Sequence, residues 1–278
     1  MMDVFYVNAQ KEKICFTQDP YRLLDGASIF DYAMSYSTVG KTNPRIKKFS
    51  NKMKSGNLKV IVTGKTREEY CENLNRLMDV INSDVDKVKM GKLYCGQQYC
   101  EGYFIGNSHG TSYNNSKRAE LELSFVAEKG NWIKEETYSF ARITNEIFES
   151  DGLDYPYDYA FDYANILVNQ KLVNTNYASS DFEMTIYGSC ENPTISIGTH
   201  TYSVTASLIT GEYMKINSAN RKVYKVKNNG DIVNLFHCRS REFDIFERIP
   251  KGILNVAWDG GFGFDIKLLS ERSEPEWI

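Results

Sequence analysis

The sequence lacks the features that mark membrane, secreted and zinc-binding proteins. No apolar run among its 278 residues approaches the roughly 18–20 that cross a membrane. The opening residues, MMDVFYVNAQ, do not have the basic and then apolar regions of a secretory signal. The six cysteines form no C-x-x-C pair, whereas a zinc ribbon needs two. We therefore expect no membrane partner, and a chain that folds in a reducing cytosol with mostly buried thiols.

A strong excess of one charge is also missing. The formal net charge is −3 at pH 7, with residues 1–148 at +3 and residues 149–278 at −6. An imbalance this small does not predict a surface dedicated to nucleic acid.

Catalytic signatures are absent as well, including nucleophile elbows, Walker loops and H-E-x-x-H. His237 adjoins Cys238, but no second close pair completes a metal site. The run GGFGF at Gly260–Phe264 precedes a strand, whereas a dinucleotide loop precedes a helix. A glycosidase pair of carboxylates stays open, although no spacing singles one out. We predict a protein that is not an enzyme and that has no cofactor or metal.

The composition favours sheet, with six prolines and 13% aromatic residues. One amphipathic helix is predicted from Thr66, where TREE has the form of a capping box closed by Glu69. The helix should end near Asn82 and Ser83. Residues at helical spacing predict its buried face: Tyr70, Leu74, Leu77, Met78 and Ile81.

Strand and turn patterns fill the remainder of the first half. Residues 119–128 alternate between apolar and polar side chains except at Val126, which predicts a half-buried antiparallel strand. Gly96-Gln97 predicts a hairpin turn. The segment that follows Gly40 is strongly basic, and we expect an exposed hairpin or loop that is either solvated or in contact with acidic residues of a neighbouring subunit. Its basic residues are Lys41, Arg45, Lys47, Lys48, Lys52 and Lys54.

The composition of the sequence changes around residues 145–160, which are acidic and rich in tyrosine. We place a domain boundary there, giving domains of residues 1–148 and 149–278. Calcium is not predicted, because the oxygen-ligand spacing of an EF-hand is absent. Beyond the boundary, short strands and a hairpin signal at Asn228-Asn229-Gly230 predict a β-sandwich or jelly roll. Its last strand should bury Phe264, Ile266 and Leu268.

The closing region carries a specific series of residues: Arg241, Phe246, Ile249, Pro250, Gly252, Asn255, Val256, Trp258, Phe262, Phe264, Glu271, Arg272, Ser273, Glu274, Pro275 and Trp277. In their order and spacing they resemble the C-terminus of the distal tail proteins, or Dit proteins, of long-tailed phages that infect Gram-positive bacteria. The first half is similar to the same family, although less so residue by residue.

The resemblance implies a fold and a role. The fold would be an N-terminal split β-barrel ring domain with one flanking helix, and a C-terminal galectin-like β-sandwich. Six copies would form a ring at the distal end of the tail, assembled in the host cytoplasm, with a channel for DNA. Its partners would be the tail tube protein, the tape-measure protein, a tail-associated lysin or fibre, and receptor-binding proteins.

Contact residues can be assigned within this scheme. Because a DNA channel should not be densely basic, we expect Arg45, Lys47, Lys48, Lys52 and Lys54 at a subunit or tube contact. The closing segment should dock one domain on the other through Glu271, Arg272, Glu274, Pro275 and Trp277.

Two alternatives stay open. The C-terminal half could bind cell-wall carbohydrate, with aromatic rings from Tyr155–Tyr163. The chain could equally be the hub of a phage-derived bacteriocin or of a defective prophage particle, because such a hub obeys the same physical requirements and its sequence would not differ from that of a virion hub.

Overall fold

A computed structural model describes residues 3–32, 34–50, 53–110, 117–143 and 168–276. The chain forms two compact units: unit 1 comprises Met1–Lys134 with Glu271–Ile278, and unit 2 comprises Glu135–Ser270. The first stretch of unit 1 thus ends at Lys134, before the expected boundary at residue 148. The closing segment, Glu271–Ile278, belongs to unit 1. The expected boundary itself lies outside the described residues, so those domain limits stay a prediction. No helix in the described ranges is long and apolar enough to cross a membrane.

Unit 1 is built mainly from antiparallel strands. In chain order its elements are β1 (Val4–Val7), β2 (Lys13–Cys15), β3 (Thr17–Gln18), β4 (Tyr21–Leu23), β5 (Ser35–Val39), β6 (Arg45–Ser50), β7 (Lys54–Thr63), α1 (Arg67–Lys87), β8 (Gly91–Cys95), β9 (Gln98–His109), β10 (Arg118–Ala127) and the start of β11 (Trp132–Phe140).

The main sheet of unit 1 follows the order β2-β1-β8-β9-β10-β7-β4-β3. The long strand β9 pairs with β8 through its first half and with β10 through its second half. The two ends of the sheet meet at Phe16, whose amide donates to Val4 and whose carbonyl accepts from Leu23. The sheet therefore curls back towards itself, as the expected barrel requires.

The expected strand and turn of this unit are confirmed. Strand β10 buries Ala119, Leu121, Leu123, Phe125 and Ala127, each at most 1% exposed. Cys95 pairs with Gln98 across the turn at Gly96-Gln97, and Gly96 has a φ of 60°.

The helix begins as expected and ends later. Thr66 caps it, accepting a hydrogen bond from the Glu69 amide at 3.1 Å. The Glu69 carboxylate accepts from the Lys65 amide at 2.8 Å. The helix packs against β7 and β9 through a face that includes Tyr70, Leu77 and Ile81.

The predicted helix end at Asn82 and Ser83 is wrong. The helix continues to Lys87, and Asp84 is buried within its last turns. The Asp84 carboxylate accepts hydrogen bonds from the Tyr6 hydroxyl at 2.6 Å and the Ala9 amide at 2.9 Å. Because these distant groups satisfy it, a charged residue occupies a position that local sequence marks as solvent-facing.

Unit 2 contains two main sheets. The first has the order β20-β19-β18-β13-β22 and then the later part of β11, and the second has the order β12-β21-β15-β16. Its strands are β12 (Val168–Asn174), β13 (Asp181–Tyr187), β14 (Cys190–Glu191), β15 (Thr194–Ile197), β16 (His200–Ser203), β17 (Ser207–Leu208), β18 (Tyr213–Asn217), β19 (Lys222–Val226), β20 (Ile232–Asn234), β21 (Gly252–Trp258) and β22 (Phe264–Arg272).

One apolar core lies between the two sheets of unit 2. Met184 and Met214 of the first sheet belong to the same buried cluster as Ile195 and Trp258 of the second. The predicted final strand is confirmed as β22, and it buries the three residues expected: Phe264, Ile266 and Leu268.

The predicted hairpin of unit 2 and the predicted fold class can also be compared with the structure. The hairpin at residues 228–230 is confirmed, and its loop runs from Lys227 to Asp231. A mainly β protein with a flanking helix is confirmed, while the galectin-like detail stays a prediction.

The six cysteines are free thiols. Burial raises the pKa of both Cys95 and Cys100 to about 11. The expectation was of mostly buried thiols: Cys95 and Cys100 are buried, Cys15, Cys190 and Cys238 are half-buried, and Cys71 is exposed. Within the described ranges, no group of three or more His, Cys, Asp or Glu residues is placed to hold a metal ion.

Candidate assembly interface

Strands β5 and β6 form a separate two-stranded sheet in unit 1, which we call the ribbon (residues 35–50). Ser35 pairs with Ser50 at one end, and Val39 pairs with Arg45 at the other. The register shifts between Ser37 and Thr38, so that Lys47 is an extra residue on its strand. A two-stranded hairpin by itself is only marginally stable in water. The ribbon is therefore the element of unit 1 that most needs a partner.

The ribbon has one apolar face. Tyr36 lies opposite Phe49, and two residues further along Thr38 lies opposite Ile46, so these four side chains point the same way. Tyr36 is 63% exposed, Phe49 57% and Ile46 54%. Large apolar side chains grouped on one surface mark a protein interaction site.

The predicted basic contact residues do not all belong to this ribbon. Arg45, Lys47 and Lys48 are exposed on β6. Lys52 lies outside the described residues. Lys54 begins the next strand, β7, and its side chain turns into the unit.

Lys54 is half-buried, and its ammonium group has no hydrogen-bond partner among the described residues. The nitrogen lies 5.9 Å from the centre of the Trp132 ring. Burial lowers the pKa of Lys54, although the negative charges of Asp31 and Glu274 act to raise it. The structure thus places this lysine away from the exposed basic group, and its role in a subunit contact stays a prediction.

The closing segment makes its contacts within unit 1. The Asn131 side chain donates to Glu271 at 2.8 Å, and the Glu276 amide donates to the Gln98 side chain at 2.8 Å. Pro275 is buried, while Arg272 is exposed and pairs with Glu276 at 3.3 Å. Trp277 lies outside the described residues. Docking of one domain on the other through this segment stays a prediction.

A pocket lies beside the start of the ribbon, and we call it the acidic pocket. Its volume is about 590 Å³. Three carboxylates, from Asp25, Asp31 and Glu274, line it and are exposed. Its apolar surface includes Leu23 and the rings of Phe30 and Tyr32.

Sequence reasoning missed the acidic pocket, and it missed the apolar face of the ribbon. The carboxylates of the pocket come from both ends of the chain, so no local pattern joins them. The apolar face is hidden because Ile46 and Phe49 are three residues apart, whereas a regular strand repeats every two. Lys47, the extra residue, accounts for the difference.

Unit 2 carries an open groove of about 480 Å³ at the edge formed by β19 and β20. Two aromatic rings, of Tyr224 and Phe236, line it together with the amides of Asn220 and Asn234. Tyr155–Tyr163, the aromatic cluster predicted to contact sugar, lies outside the described residues.

No protein-family model and no curated protein sequence matches this chain significantly. Solved structures do match it. The crystal structure of the SPP1 Dit (gp 19.1) protein, described as a paradigm of the hub adsorption apparatus in phages that infect Gram-positive bacteria, is 10% identical with a TM-score of 0.62. The match covers 97% of this chain and 99% of that one.

Two structures of the phage P2 baseplate in its activated conformation match over 99% of this chain and all of theirs, at 12% identity. The TM-scores are 0.61 for the form with Ca and 0.62 for the form with Sr. Because these likenesses span nearly the whole of each chain, the protein has the fold of SPP1 Dit, as the resemblance of its sequence predicted.

Proposed function

We propose that this protein is the structural hub at the distal end of a phage tail, where it joins the tail tube to the adsorption apparatus. The observation that carries the proposal is the fold, which matches that of a hub protein over 97% of this chain and 99% of the other. An assembly role agrees with the described surface, which includes the uncovered apolar face of the ribbon. The proposed hub acts mechanically and turns over no substrate.

Six copies form the ring in this proposal. A head-to-tail interface produces a closed ring when its rotation closes, and an open filament when it does not. The ribbon supplies one half of such an interface, because a neighbour that covers Tyr36 and Phe49 removes them from water. The same neighbour would protect the strand edges of β5 and β6 from uncontrolled pairing.

The ring surrounds a channel through which DNA passes. A channel wall that carried many cations would bind phosphate, so the exposed basic residues of the ribbon belong at a subunit or tube contact. The further partners in this proposal are the tail tube protein, the tape-measure protein, a lysin or fibre, and receptor-binding proteins. The site of the hub is the distal end of the virion tail, and its assembly takes place in the host cytoplasm.

Light scattering of the purified protein, followed by negative-stain images of the main peak, tests the ring. We expect the mass of a hexamer or double hexamer and particles with an open centre. A monomer over the whole accessible concentration range would contradict a ring that closes by itself.

Charge reversal tests the basic contact. The variant Lys47→Glu, Lys48→Glu and Lys52→Glu should weaken ring assembly or attachment to the tail tube. If both were unchanged, these lysines would have no role at either contact.

A second candidate function, carbohydrate binding, is favoured by the groove of unit 2. Sugar rings stack on aromatic faces while nearby polar groups bind their hydroxyls, and half-buried Tyr224 with exposed Asn220 and Asn234 offers both. The full chain would be tested on an array of cell-wall glycans. Binding that is lost in Tyr224→Ala and kept in Tyr177→Ala, a control at an exposed tyrosine of the same unit, would support this candidate.

A further inference from the structure

We propose that the ribbon of one copy docks on the acidic pocket of the next copy, with its basic residues facing Asp25, Asp31 and Glu274. This inference rests on the proposed ring and adds to it the partner surface of the ribbon. It makes the contact head-to-tail, since the ribbon and the pocket are different surfaces of the same unit.

The first argument is charge complementarity. The pocket brings three exposed carboxylates together, and none of them forms a hydrogen bond or ion pair with another described residue. Asp31 and Glu274 act electrostatically on Lys54, whose ammonium is buried. Three carboxylates against one lysine leave the pocket negative. Arg45, Lys47 and Lys48 carry the opposite charge and are equally exposed.

The second argument is that the pocket is also apolar. Phe30 lines it and stacks on the Trp132 ring, with 5.7 Å between the ring centres. Tyr32, at its rim, is 47% exposed. A partner surface that combines aromatic and basic groups fits such a lining, and strand β6 of the ribbon carries Phe49 as well as the exposed basic residues. Enrichment in aromatic residues and arginine is typical of protein interfaces.

The third argument is that the ribbon does not use the pocket of its own chain. Arg45 pairs with Val39, four residues beyond Ser35, which places it about 13 Å further along the ribbon at the usual rise of a strand. Both the basic residues and the carboxylates stay exposed within one chain. A second copy is therefore the occupant that satisfies both surfaces at once.

Charge reversal with mixing tests this pairing. Variant A carries Arg45→Glu and Lys47→Glu, which puts two carboxylates opposite the acidic pocket and removes the net positive charge of the ribbon. Variant B carries Asp25→Lys and Asp31→Lys, so that both of its surfaces are basic. Each variant alone should associate about tenfold or more weakly than the wild type, because like charges oppose each other at every contact.

An equimolar mixture of A and B should form rings again. In a ring of six that alternates A and B, every acidic surface meets a basic one. The chain that carries all four substitutions should also assemble by itself, because the new carboxylates of its ribbon face the new lysines of its pocket. The readouts are mass by light scattering and the ratio of A to B in the ring, which we expect to be one to one by mass spectrometry.

The controls distinguish an effect of charge at this contact from an effect of overall charge and from a loss of folding. Lys11→Glu with Lys129→Glu changes two other exposed lysines of unit 1 by the same amount and should leave assembly unchanged. Thermal unfolding of each variant verifies its fold. If B does not fold, the milder Asp25→Asn with Asp31→Asn replaces it and should weaken association without restoring it in mixtures.

The outcomes distinguish this inference from the proposed ring. Rings in the wild type that persist unchanged in both A and B would overturn the docking and leave the ring standing. Folded variants that fail alone and also fail when mixed would place the ribbon against another surface, which overturns the docking as well. A wild type that never forms rings would overturn the proposed ring and this inference together.

Discussion

The Tyr6 hydroxyl donates a 2.6 Å hydrogen bond to the Asp84 carboxylate, which joins the first strand of unit 1 to the last turns of its helix. Tyr6 is fully buried and Asp84 is 1% exposed. Burial, followed by the hydrogen bond to Asp84, raises the pKa of Tyr6 far above its ordinary value, so the phenol stays protonated. Gly91 completes the site, because a Cβ at that position would collide with the Tyr6 hydroxyl.

Tyr6→Phe should lower the free energy of unfolding by about 1–3 kcal/mol, because it leaves one oxygen of a buried carboxylate without its donor. Urea denaturation measures the change. Tyr187→Phe is a matched control: it removes a hydroxyl that donates to Asp265 over the same 2.6 Å, but at the surface. The control should stay within roughly 0.5 kcal/mol of the wild type. Equal effects of the two variants would contradict a special role for the buried pair.

Lys54→Met should stabilise the protein at pH 7 by about 1–2 kcal/mol, because it removes a buried ammonium that has no hydrogen-bond partner among the described residues. Its pKa is lowered in the folded state, so the folded chain holds fewer protons than the unfolded chain between the two pKa values. The wild type therefore gains stability as pH rises through that window, up to the ordinary lysine value near 10.5.

The advantage of Lys54→Met over the wild type should accordingly shrink as pH rises from 7 towards 10. Denaturation midpoints at several pH values measure this difference. Lys59→Met, on the exposed side of the same strand, should show neither the gain nor its pH dependence. A gain for Lys54→Met that stayed constant with pH would show that the ammonium charge is not its cause.

Truncation after Arg272 should destabilise unit 1 by roughly 1–3 kcal/mol, because it removes buried Pro275 and the hydrogen bond from the Glu276 amide to Gln98. Hydrogen exchange by mass spectrometry should show faster exchange in the β8–β9 region. Arg272→Ala, which removes an exposed ion pair, should have almost no effect. Unchanged exchange in the truncated chain would show that the segment is not part of the stable unit.

Cys71 should react first with a thiol reagent at pH 8, because it is exposed. Cys95 and Cys100 have a pKa of about 11, which leaves roughly a thousandth of each as thiolate at that pH. Mass spectrometry of the labelled protein should show one rapid addition, and Cys71→Ser should abolish it. Rapid labelling of Cys100 in the native protein would contradict its burial.

Tyr36→Ser with Phe49→Ser should abolish ring formation while leaving thermal unfolding nearly unchanged, since both side chains are exposed within one chain. Loss of this apolar area from an interface costs roughly 3 kcal/mol, or about a hundredfold in association. Light scattering measures the loss. Tyr177→Ser with Ile232→Ser, at similarly exposed positions of unit 2, should assemble normally.

The sequence predicted those elements whose structure depends on local patterns of apolar and polar residues. Burial alternates over Ala119–Ala127 of strand β10, where only Val126 breaks the residue pattern, and the last strand buries every second residue from Phe264. In both strands one face packs on the core and the other faces water, so the alternation of apolar and polar residues is enough to predict the strand. The helix start at Thr66 was predictable for the same reason, because a cap is a local interaction.

The features that the sequence did not predict depend on contacts between residues far apart in the chain. The helix extends past Ser83 because Tyr6 and Ala9, far away in sequence, satisfy Asp84. The acidic pocket joins Asp25 to Glu274, about 250 residues apart in the chain. Each of these features depends on a partner that the local sequence does not contain.

The pairing of β7 with β10 has a mechanical consequence. Ten successive residue pairs, from Arg118 opposite Thr63 to Ala127 opposite Lys54, hold the two strands in register without a break. A force pulling the strands along their length loads all the hydrogen bonds of this ladder in parallel, whereas a force pulling one end sideways opens them one at a time. This part of unit 1 therefore resists lengthwise shear far better than peeling.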